Sequence, residues 1–93
     1  MRPGRKERKI LRLNDEIAAL EYAAELAREE LIMHQHLDDD AQRDAAVSSN
    51  PIDLADAKET AGDVVRAQSV IDKMNSDRAR LVAKRDQLLS RLD

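Results

Sequence analysis

Two histidines, a cluster of aspartates and a run of basic residues are the side chains in this sequence that could carry chemistry. His34 and His36 stand two apart. On a helix that offset turns the rings about 200° from one another, whereas a zinc pair needs i, i+4 spacing or a strand. The pair therefore predicts packed or solvent-facing imidazoles rather than ligands. Asp38, Asp39 and Asp40, followed by Asp44, form an acidic cluster. It lacks the glycine and closing glutamate of a calcium loop, so it reads as a solvated helix face, as a kink where the helix pauses before Ala41, or as an acidic tip. No metal and no cofactor are expected.

Nucleophilic and redox chemistry are equally poorly served. The absence of cysteine excludes disulfides, thiolate metal sites and thiol catalysis. There is no phosphate-cradling glycine loop and no Ser-His-Asp set, and a long helical rod offers no concave pocket. The expectation is a protein that is not an enzyme. Arg5, Lys6, Arg8, Lys9 and Arg12, with Arg2, could contact phosphates without sequence specificity. No aromatic residue stands among them for base stacking.

The elements that must position these groups are helical. The 93 residues include one Tyr, no Phe and no Trp, with 38% charged residues and only two Gly and two Pro. That balance matches long helices and coiled coils. From Ile10 the apolar residues step by three and four in turn: Ile10, Leu13, Ile17, Leu20, Ala24, Ala27, Leu31. The rhythm continues through His34, Asp38, Ala41 and Ala45. Ser48-Ser49-Asn50-Pro51 then interrupts it, with Asn50 as N-cap, Pro51 at the first helical position and Asp53 at the positive helix start. A second seam follows through Ala57, Thr60, Val64, Ala67, Ile71, Met74, Arg78, Leu81, Arg85, Leu88 and Leu92.

Two helices of about 40 residues, roughly 60 Å each, joined by a tight turn must lie antiparallel. The expected fold is an all-α antiparallel coiled-coil hairpin, dimerising into a four-helix bundle. Residues 1–9 form a basic, partly disordered arm, and residues 10–93 a single domain. Helix 1 spans about 5–47, the turn 48–50 and helix 2 about 51–92. With the bend near Ser49, facing residues have numbers summing to about 98, so small residues meet large ones mid-hairpin and small ones near the bend. Arg78 and Arg85 interrupt the seam. Their stems are expected to cover it while the guanidiniums reach Glu16, Glu21 or Asp15. The sharper reading gives these arginines an anionic ligand or a partner's carboxylates.

Charge is segregated along the chain. Residues 1–12 carry +5, residues 13–63 carry −11 and residues 64–93 carry +3, giving a hairpin with basic termini and an acidic bend. This shape and charge layout resembles the coiled-coil arm of the Gre family of transcription factors. In that family, acidic residues at a hairpin tip enter the polymerase's secondary channel and hold a magnesium ion. The resemblance covers architecture alone, without the family's second, globular domain, and no tip motif aligns residue by residue.

A second set of apolar residues falls outside the seam. Tyr22, Leu26, Met33 and Leu37 form a broken stripe on helix 1, with Leu11 and Ile32 beside them. On helix 2 the outlying residues are Ile52, Leu54, Val65, Val70, Val82 and Leu89. A helix apolar on two sides normally packs on two sides. Tyr22, Leu26, Met33, Leu37, Val82 and Leu89 are therefore the expected interface.

The leading expectation is a structural or interaction module whose partners are a second copy, as a homodimer, and an unidentified protein. The alternative is a transcription-associated or nucleic-acid-associated regulator using the basic arm and the acidic tip. No apolar run has the length of a membrane span or a signal segment, so a cytoplasmic protein without a membrane partner is expected.

Overall fold

The computed structural model describes residues 2–92. Met1, at the head of the expected basic arm, and Asp93 lie outside the described residues. The chain is an all-α hairpin of two long helices, α1 over Arg5–Ser48 and α2 over Pro51–Leu89.

Each helix end has a local cause. At the start of α1 the Gly4 N–H donates to Glu7 Oε2 at 2.8 Å, half of a capping box, while Arg8 N–H bonds Gly4 O at 3.0 Å. At its far end Ser49 takes a left-handed conformation, φ 54°, and its N–H returns to Ala45 O at 2.9 Å. Asn50 then caps α2: its Oδ1 accepts from Asp53 N–H at 2.8 Å, and its Nδ2 donates to Asp53 Oδ2 at 3.0 Å. Ser48 Oγ also donates to the Asp53 carboxylate. One carboxylate thus ties both sides of the turn together. α2 closes short of residue 92, where Arg91 and Leu92 reverse to i−3 carbonyls at 3.1 and 3.2 Å. Such tightened bonds satisfy carbonyls that a regular helix end leaves open.

The chain forms two compact units, each drawing on both helices. Unit 1 comprises residues 1–25 and 73–93, and unit 2 residues 26–72. In unit 1, Arg85 Nη1 donates to Asn14 Oδ1 at 3.1 Å and Arg78 Nε to Glu21 Oε1 at 2.8 Å. In unit 2, Thr60 Oγ1 donates to Asp38 Oδ1 at 2.8 Å and Gln42 Nε2 to Ala57 O at 2.9 Å. Numbers rise on one helix as they fall on the other, so the segments within each unit run antiparallel. All four pairs sum to 98 or 99, the register expected from the seam.

Burial follows the seam position by position. Ile10, Leu13, Ile17 and Ala24 are buried in unit 1, and Ala27, Ala45, Ala57 and Ile71 in unit 2. The remaining seam positions are half-buried, except Arg78, which is exposed. Three of the four buried residues of unit 2 are alanines, which lose their surface only where helix backbones come close. No described side chain is wholly buried, so the apolar burial within each unit is thin.

Candidate functional site

α1 passes through Asp38–Asp40 without a break. Because a helix turns about 100° per residue, the consecutive aspartates face different ways. Asp38 turns inward, half-buried, and its Oδ1 accepts from both Thr60 Oγ1 and Gln42 Nε2. Asp39, Asp40 and Asp44 are exposed, and the Asp40 carboxylate pairs with Arg43 one turn on. The acidic segment is thus an outward acidic face plus one inward carboxylate that bonds across the helix pair.

Arg78, at a seam position of unit 1 where its stem was expected to be covered, is exposed; its guanidinium reaches Glu21, one of the partners expected for it. Arg85 bonds Asn14 and, at 3.1 Å, Asp86 on its own helix. Asn14 was missed in the sequence because a charged partner was sought; its neutral amide sits one residue beyond seam position Leu13, within reach of the guanidinium. Each arginine is engaged by groups of its own unit. Arg5, Lys6, Arg8 and Arg12 are exposed and Lys9 half-buried, and Arg8 Nη1 donates to Pro3 O at 2.9 Å.

Among the outlying apolar residues, Leu26 is 44% exposed, Met33 51% and Leu37 51%, all on α1 within unit 2. Tyr22 and Leu89, in unit 1, are exposed, whereas Val82 is half-buried. The apolar residues flanking the turn, Val47 and Ile52, are the most open. Val47 stood out little in sequence because it sits where the seam rhythm runs out.

His34 is half-buried and His36 exposed. His34 borders a shallow depression in unit 2 lined by Ala27, Glu30, Asp63, Arg66, Ala67 and Val70. Arg66 Nη2 and Asp63 Oδ1, 2.5 Å apart, form an ion pair at its edge. Among the described residues, no group of three or more His, Asp or Glu is placed to hold a metal ion.

The division into units also divides the charge. Unit 1 holds twelve basic and eight acidic residues, +4, while unit 2 holds four basic and eleven acidic, −7. Among the described residues, no helix is long and apolar enough to cross a membrane. Comparison with protein-family models, with curated proteins and with solved structures finds no match to this chain.

Proposed function

We propose that this hairpin is a non-catalytic interaction module that self-associates through its outward apolar residues and engages another protein through its acidic bend or remaining apolar surface. The observation that carries the reading is the exposure of Leu26, Met33 and Leu37 on α1 while the apolar seam positions are covered. Half-exposed large apolar side chains at i, i+7 and i+11 repeat on one side of a helix, and a stripe of that kind gains by being covered. Two hairpins packed side by side would give a four-helix bundle and supply the apolar area that each lacks alone.

The test is sedimentation equilibrium over a wide concentration range on the unaltered chain, Leu26→Glu and Met33→Glu. Each glutamate should weaken association by tenfold or more while far-UV circular dichroism retains its helical signal. Association equal to that of the unaltered chain in both variants sinks the reading.

A further inference from the structure

The two flanks of the seam in unit 2 are unlike. On one flank, residues at alternating steps of four and three form a row on α1 over residues 26–47 and a row on α2 over residues 52–70. The rows border one groove, because Glu30 of the first and Asp63, Arg66 and Val70 of the second line the same depression beside the seam residues Ala27, His34 and Ala67. Together the rows hold six large apolar residues, all exposed: Leu26, Met33, Leu37, Val47, Ile52 and Val70. The rest are six acids, Glu30, Asp40, Asp44, Asp56, Glu59 and Asp63, and one base, Arg66, which pairs with Asp63. The opposite flank, at the same steps over residues 28–46 and 54–72, is neutral. There Arg28 and Lys58 balance Asp39 and Asp72, and the large apolar residues are Ile32, Leu54 and Val65.

We infer that this flank of unit 2 takes a basic amphipathic helix of another protein, with apolar side chains at both ends of its contact face and Lys or Arg between them. The inference rests on the outward apolar residues being a contact surface for protein, and it gives the partner its chemistry. The order follows from the register set by the Thr60–Asp38 and Gln42–Ala57 bonds. In that register Asp40 stands across from Glu59, Asp44 from Asp56 and Val47 from Ile52. Four carboxylates thus flank the middle of the groove. The apolar pair Val47 and Ile52 lies beyond them, and Leu26, Met33, Leu37 and Val70 gather about the depression before them. Arg43 pairs with Asp40 at the surface, where such pairs exchange readily. A partner helix of about 20 residues, roughly 30 Å long, spans the row on α1. A second copy presenting the same flank would set carboxylates against carboxylates, whereas a cationic helix neutralises them. Nucleic acid or an anionic lipid surface would meet the same repulsion.

The probe is a fluorescein-labelled helical peptide of about 20 residues, with leucines at both ends of one face and lysines between them. Its controls are the same peptide with glutamate for each lysine, and an oligolysine of equal charge. Anisotropy on the full chain should show one peptide bound per chain, about tenfold or more tighter than either control. Leu37→Ser, and separately Asp44→Asn with Asp56→Asn, should each raise Kd about tenfold. On the opposite flank, Ile32→Ser, and Asp39→Asn with Asp72→Asn, should change it less than about twofold. These positions are exposed, and circular dichroism checks that each variant remains helical. Oligolysine binding as tightly as the peptide, equal losses on both flanks, or no binding at all overturns the inference and leaves self-association to its own sedimentation test. A chain that sediments as a monomer yet takes the peptide with this pattern removes self-association and leaves the inference standing.

Discussion

Thr60 Oγ1 donates a 2.8 Å hydrogen bond to Asp38 Oδ1 across the helix pair of unit 2. The same oxygen accepts from Gln42 Nε2, which also donates to Ala57 O. These contacts insert a polar layer beside the small apolar seam residues Ala41, Ala45 and Ala57, and a slipped pairing would leave the half-buried carboxylate without its hydroxyl. A hydrogen bond to a charged acceptor at a partly covered position contributes about 1 kcal/mol. The double-mutant cycle of Asp38→Ala and Thr60→Ala, read by urea unfolding with circular dichroism, should therefore give a coupling of about 1 kcal/mol. Losses that simply add would show that the bond contributes nothing to stability.

The turn makes the second prediction. Ser49 has φ 54°, a conformation in which any side chain larger than hydrogen crowds the backbone. Ser49→Gly should raise stability by about 1 kcal/mol by removing that crowding, even after the added freedom of glycine in the unfolded chain. Asn50→Ala should lower it by about 1 kcal/mol, because the Asp53 N–H loses its cap. Thermal unfolding followed at the helical band would show the two midpoints moving apart in opposite directions. Movement of both in the same direction would contradict the geometry.

Arg85 occupies a seam position in unit 1, where Leu13 is only 5% exposed. Its bonds to Asn14 and Asp86 are surface contacts, which are individually weak. Arg85→Leu should accordingly stabilise the hairpin by about 1 kcal/mol through apolar burial. Arg85→Ala should destabilise it, since the covering stem is lost without replacement. Should leucine prove worse than alanine in denaturant unfolding, the guanidinium bonds rather than the stem would be what the seam depends on.

Particular residues show how far the sequence could be read. The covered faces at Ile10, Ile17, Ala24 and Ala57 follow from three-four spacing alone, since that spacing leaves one side of a helix to bury. The turn follows from Asn50 and Pro51, whose capping chemistry is local. Asp38 was harder, because seam rhythm and acidic clustering claim the same residue. Only helix phase separates it, facing Thr60, from the outward Asp39 and Asp40. The linear charge count already separates basic termini from an acidic middle, but where the +4 and −7 units divide lies in which parts of the two helices cluster together. Nor does one sequence carry a record of its partner, so the outward Leu26 and Met33 were legible as a surface but not as an interface with a known occupant.

The basic start of α1 yields the last prediction. Arg5, Arg8 and Arg12 are exposed and stand at i, i+3 and i+7, so they share one face, while Lys6 points elsewhere. Three phosphate contacts would give a dependence of log affinity on log salt of about −2.7 on duplex DNA. With no aromatic side chain near them to stack on bases, binding should be indifferent to sequence. Arg8→Gln should bring the slope to about −1.8, whereas Lys6→Gln should leave it unchanged, as measured by fluorescence anisotropy across a salt series. A slope near −4.5 would mean that all five basic residues of the segment reach phosphate, and would favour the nucleic-acid-associated reading over the interaction module.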